Sequence, residues 1–164
     1  AESNKIQILN ENEYIETKYK NVNIKLKLYG LNFLSNNILY DYPLIFTASN
    51  SSSSQILWSN ISFMLYHSDS SISSQLIAQD DGNLVQYRTY YKNYPISQAT
   101  ITTPIWSSDT YLGVNQTITN PRIKLQIWRN VNASYIVTYF AKFVLDANNI
   151  DRKVIADVEI TNLF

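Results

Sequence analysis

Gln79-Asp80-Asp81-Gly82-Asn83-Leu84-Val85-Gln86-Tyr87 is the stretch on which the reading of this chain turns. Asp-Gly between short alternating runs is a strong hairpin signal. Leu76 to Gln79 and Leu84 to Tyr87 alternate in this way, so they predict two strands joined by Asp80-Asp81-Gly82. A three-residue loop with Gly82 in the left-handed region pairs Gln79 with Asn83 and Ile77 with Val85. The strand period of two then puts Gln79, Asn83, Val85 and Tyr87 on one face, with Asp81 at its tip.

Such a face suits a pyranose. Asp81 accepts from hydroxyls, Gln79 and Asn83 both donate and accept, Tyr87 offers a phenol, and Val85 meets the apolar ring carbons. The plain alternative is an ordinary hairpin with a polar outer face.

Downstream lies Pro104-Ile105-Trp106-Ser107-Ser108-Asp109-Thr110. Together with Gln79, Asp81, Asn83, Val85 and Tyr87 at every second position, it resembles the mannose-binding repeat of the bulb-type lectins, whose sheet repeats end in a similar turn. The resemblance is specific over residues 76–110 and diffuse over 22–128. It implies a β-prism-like threefold arrangement of short antiparallel sheets, and mannose-type glycans bound without metal, cofactor or catalysis. Two departures accompany it. The chain has no cysteine, where plant bulb lectins usually carry a disulfide, and only three glycines, so Asn and Ser must make most of the bends.

Working outward, Val22 to Tyr29, Ile123 to Trp128 and Val154 to Ile160 also alternate, and an all-β fold is expected. Tyr135 to Ala147 is the one stretch whose apolar residues could line a helix, but Val137, Thr138, Tyr139, Phe140, Phe143 and Val144 favour a strand. A faint repeat runs through the chain. Ile24 to Tyr29 followed by Ile56-Leu57-Trp58-Ser59-Asn60 echoes Leu84 to Tyr87 followed by Ile105 to Ser108, with a weaker third copy over Arg122 to Trp128. In a threefold prism Trp58, Trp106 and Trp128 pack together; in the alternative, a β-sandwich, they are ordinary core aromatics. Only the middle copy keeps the polar pattern, so one sugar site at most is expected. The organisation read from this is an N-terminal extension or strand over 1–21, a lectin-like domain over 22–134, and C-terminal strands over 135–164 packed on that domain.

The 164 residues suffice for one well-buried domain. Net charge is zero and the basic residues do not cluster, which argues against nucleic acid. Charged residues make up 16%, so amides and hydroxyls solvate much of the exterior. No apolar run approaches the roughly 20 residues needed to span a bilayer as a helix. The chain opens at Ala1 without Met, and a removed secretory leader is expected, with a secreted or cell-surface location. Four sequons begin at Asn50, Asn60, Asn115 and Asn132; a chain this rich in Asn, Ser and Thr should hold about three or four by composition alone, so they are permitted sites for glycans.

Nothing points to an enzyme. The single histidine, His67 in Tyr66-His67-Ser68-Asp69, reads as a loop imidazole. Adjacent Asp80 and Asp81 send their side chains in different directions, which suits a turn better than an acid/base pair. No Cys or His cluster suits zinc, no acidic loop suits calcium, and no Gly-rich loop suits phosphate. The termini carry a different message. Ile6, Ile8 and Leu9 alternate as a half-buried strand should, and Leu163-Phe164 makes an apolar end. Each end is expected to dock, either on its own domain or on a neighbour. In the second case the chain is a structural subunit of an extracellular filament, self-associating by terminal strand donation.

Overall fold

A computed structural model of the chain describes residues 1–61, 64, 70–93 and 95–164. These residues form thirteen β-strands and no α-helix: β1 (Ile8–Asn10), β2 (Tyr14–Tyr19), β3 (Val22–Leu28), β4 (Phe33–Ser35), β5 (Ile38–Tyr40), β6 (Leu44–Ser49), β7 (Ser54–Ser59), β8 (Ser70–Ala78), β9 (Leu84–Tyr91), β10 (Thr100–Ser107), β11 (Arg122–Val131), β12 (Val137–Asp146) and β13 (Lys153–Ile160). The ambiguous Tyr135–Ala147 stretch is therefore strand.

Three antiparallel sheets and one small hairpin result. Sheet I has the order β1-β8-β9-β10, sheet II β2-β3-β6-β7 and sheet III β11-β12-β13, while β4 and β5 pair in a loop between β3 and β6. The expected all-β class is thus observed, as several small antiparallel sheets. Alternation drives it. In β3, Val22, Ile24, Leu26 and Leu28 are fully buried, while Asn23, Lys25 and Lys27 are half-exposed. All three sheets feed one core, among them Leu76 and Leu84 from sheet I, Leu26 and Phe46 from sheet II, and Ile123 and Phe143 from sheet III.

The last two strands of each sheet share one irregularity. In sheet II, Ile56, Trp58 and Ser59 face Thr47, Phe46 and Ile45, with Leu57 bulged out. Sheet I does the same with Pro104, Trp106 and Ser107 against Tyr87, Gln86 and Val85, skipping Ile105. Sheet III follows with Val154, Ala156 and Asp157 against Val144, Phe143 and Lys142, skipping Ile155. A bulge re-aims the strand that carries it, and its recurrence at one place marks three copies of one unit. The counterpart of motif strand β9 is thus β6 in sheet II and β12 in sheet III. That corrects the repeat expected from sequence, which matched β9 to β3.

The expected cluster of three tryptophans is also corrected. Trp58 and Trp106 meet edge to face with ring centroids 5.5 Å apart, but the third partner is Phe143, 5.7 Å from Trp58. At the matching place sheet III carries Ala156. Trp128 lies on the outer face, 46% exposed, with Lys142 Nζ 4.4 Å from its ring centroid.

The first nineteen residues add an outer strand to every sheet in turn. Residues 1–6 run along β11, with bridges Glu2–Gln126 and Ile6–Ile123. Next, β1 pairs with β8, and then β2 pairs with β3. The Glu2 carboxylate accepts from Gln126 Nε2 at 2.7 Å and lies 3.3 Å from Lys124 Nζ. Those two hydrogen-bonding partners, Gln126 first, hold its carboxyl below the usual range. At the other end Leu163 is buried and the Phe164 ring stacks on Tyr139 at 4.1 Å. Both termini dock on their own chain.

Candidate functional site

The β8–β9 hairpin has the predicted register. Ile77 faces Val85, Gln79 N–H donates to the Asn83 carbonyl at 2.9 Å, and Gly82 closes the three-residue loop at φ +86°. Glycine is needed there twice over: φ is positive, and a Cβ would sit 2.6 Å from Leu112 Cγ. The turn is clamped from above by residues 110–118. Leu112 N–H donates to the Asp81 carbonyl, Ile118 N–H to that of Asp80, and Thr110 Oγ1 to that of Gly82. A hairpin tip fixed at three carbonyls is a preorganised platform.

On this platform the sequence-predicted residues come together. Asp81 Oδ1 accepts from Asn83 N–H at 2.9 Å, which locks the carboxylate over the turn. Asn83 Oδ1 accepts from Ser107 Oγ, Ser108 Oγ and Thr110 N–H at 2.9, 3.1 and 3.3 Å. The Trp-Ser-Ser turn therefore orients Asn83, which gives the two separated sequence motifs one physical link. Gln79 Nε2 donates to the Tyr87 hydroxyl. Given the register, that bridge spans the Ile77–Val85 pair, and Val85 is only 5% exposed. The open apolar surface expected at Val85 is therefore covered.

Among the described residues, Asp81 Oδ2, Gln79 Oε1 and Asn83 Nδ2 have no partner, so two acceptors and one amide donor remain beside the Tyr87 hydroxyl. Beyond Ser107 and Ser108 the surface continues into a depression of about 260 Å³ lined by Trp58, Trp106, Thr110 and Val154. The corresponding faces of the other sheets differ. Val85 and Tyr87 are matched by Ile45 and Thr47 in sheet II and by Lys142 and Val144 in sheet III.

Sequence reasoning missed the residues behind this face. Gln86 points inward and is fully buried; its Nε2 donates to the Tyr42 carbonyl at 2.7 Å and to Ser74 Oγ at 3.1 Å, and its Oε1 accepts from Asn60 Nδ2 at 2.9 Å. Asn60 Oδ1 in turn accepts from Leu44 N–H, as Ser108 Oγ accepts from Leu84 N–H in sheet I. Period two marks Gln86 as inward; no signal in the sequence names its partners.

The Tyr66-His67-Ser68-Asp69 run lies outside the described residues. Among those described, no group of three or more His, Asp or Glu side chains is placed to hold a metal ion, and no helix is long and apolar enough to cross a membrane. No protein-family model, curated protein or solved structure matches the chain.

Proposed function

We propose that the chain is a secreted or cell-surface carbohydrate-binding protein, similar to a bulb-type lectin, with one mannose-type site on the outer face of the β8–β9 hairpin and no catalysis. The observation that carries this is the convergence of Gln79, Asp81, Asn83 and Tyr87 on one clamped turn, with Asn83 oriented by Ser107 and Ser108. Asp81 Oδ2 and Gln79 Oε1 accept from adjacent sugar hydroxyls, Asn83 Nδ2 donates, and the Tyr87 hydroxyl exchanges Gln79 for the ligand. A three-sheet scaffold in which only sheet I carries Val85 and Tyr87 at the matched positions fits a single site per chain.

One small sugar makes few contacts. The expected dissociation constant for methyl α-mannoside is on the order of 0.1–10 mM, unaffected by a metal chelator. In an NMR titration the resonances of residues 79–87 should move; none moving at tens of millimolar sugar overturns the reading. Asp81→Ala should abolish the shifts while lowering stability by only about 1 kcal/mol, the worth of one partly exposed hydrogen bond.

A second reading, a filament subunit joined by strand donation, draws support from the N-terminus. Residues 1–6 are the outermost strand of sheet III, yet Gln7 alone separates them from β1 in sheet I. The same six residues of another copy fit the same seat, and about seven extended residues reach some 23–25 Å. Removing residues 1–6 exposes the β11 edge and takes Glu2 from the 3%-exposed Lys124. The expected result is lower stability with unchanged particle mass by light scattering. Polymers of the full-length chain that vanish on truncation favour the strand-donation reading instead.

A further inference from the structure

The four sequons differ in what each asparagine amide does in the fold. Asn60 is 1% exposed, and both ends of its amide are engaged in the core, Nδ2 to Gln86 Oε1 at 2.9 Å and Oδ1 from Leu44 N–H at 2.8 Å. A glycan on that nitrogen requires the core to open. Asn50 is committed too: its Nδ2 donates to the Leu163 carbonyl at 2.9 Å, while Oδ1 accepts from the N–H groups of Ser52 and Ser53. A sugar there displaces the docked C-terminal segment.

Asn132 is the opposite case. It sits exposed in the β11–β12 turn, where its Oδ1 accepts from Ser134 N–H at 2.9 Å and Ile136 N–H at 3.0 Å, while Nδ2 has no partner among the described residues. The turn holds the reactive nitrogen and the sequon's Ser134 in one fixed, solvent-facing loop. Around it Val131, Tyr135, Ile136 and Val137 are all exposed, Tyr135 to 87%. Four large apolar side chains at one hairpin end make a patch that a soluble surface normally covers. Asn115 repeats the pattern in milder form: it is exposed, with Tyr111 and Val114 exposed beside it.

We propose that Asn132 and Asn115 carry N-linked glycans, that the glycan on Asn132 covers the apolar hairpin end, and that Asn60 and Asn50 serve the fold and carry none. The inference rests on the secreted location proposed above, and not on the sugar-binding face. In the transfer, Nδ2 attacks the anomeric carbon of a glycan carried on a lipid pyrophosphate. The C–N bond forms, the bond from that carbon to the phosphate oxygen breaks, the lipid pyrophosphate leaves with the electron pair, and an amide proton passes to a base of the transferase. No redox partner is needed.

The test is secretion of the full chain from a host that attaches N-glycans. Enzymatic release of the glycans in isotopically heavy water then converts each occupied Asn to labelled Asp, read by peptide mass spectrometry. Label is expected at Asn132 and Asn115 and absent at Asn60 and Asn50 in soluble, folded protein. Ser134→Ala removes the sequon while keeping Asn132 and its turn; it should lose the mass of one glycan and gain binding of a hydrophobic dye. Lack of label at Asn132 or Asn115, or label at Asn60 or Asn50, overturns the assignment. Unchanged dye binding by Ser134→Ala overturns the shielding role.

Discussion

Replacing Phe143 by alanine is expected to lower stability by about 3–5 kcal/mol, the range for a buried aromatic deleted from a core that cannot fully collapse. Phe143 of sheet III is fully buried, with ring centroids 6.2 Å from Phe46 and 5.7 Å from Trp58, both of sheet II, and Trp58 in turn meets Trp106 of sheet I. Because Ala156 stands where the other sheets place Trp58 and Trp106, sheet III has no second large ring to fill the gap. Against a typical total of about 5–15 kcal/mol, one such loss is large. Trp128→Ala is the internal control: the residue is 46% exposed, and the change should fall within about 1 kcal/mol. Urea denaturation of both variants checks the pair. A cost for Phe143→Ala no greater than that for Trp128→Ala shows that the sheets do not share one aromatic core.

The position of Trp128 was legible in the sequence. It has the parity of Lys124 and Gln126, which are covered on the outer face with Glu2 as their partner, and the opposite parity to Ile123, Leu125 and Ile127, which join the shared core. The threefold reading groups the three tryptophans by their place in the faint repeat, and parity is the better guide because it follows from strand geometry. The β8–β9 register was legible for the same kind of reason: Asp-Gly and a left-handed glycine leave few ways to close the loop. The repeat was not. Leu44-Ile45-Phe46 and Ala141-Lys142-Phe143 share almost no residue types with Leu84-Val85-Gln86, so their equivalence exists in the bulged pairing and not in the letters. The N-terminal residues show a third limit. The apolar residues Ile6, Ile8 and Leu9 announce a docked strand, but adjacent residues face opposite ways, so Leu9 is buried while Ile8 is 43% exposed, and which sheet receives each strand depends on edges that are far away in sequence.

Asn60→Ala is expected to cost about 2–6 kcal/mol, although a surface reading of its sequon makes the change harmless. The side chain satisfies two buried groups at once: Leu44 N–H, the first of β6, and Gln86 Oε1, on the strand that carries the candidate site. Each group left without a partner in the core costs about 1–3 kcal/mol. Expression in a host that attaches no glycans separates this loss from any effect of a missing sugar. Coupling to Gln86 sharpens the test. Gln86→Leu puts an apolar side chain where sheets II and III already carry Phe46 and Phe143, but alone it strands Asn60 Nδ2. With both changed, the Gln86–Asn60 contact has no orphaned half, so the double variant should lose less than the sum of the singles, by about 0.5–3 kcal/mol. Additive losses show that the two amides act independently, and an Asn60→Ala cost under about 0.5 kcal/mol shows that the amide is not holding sheet II against the back of the β9 strand.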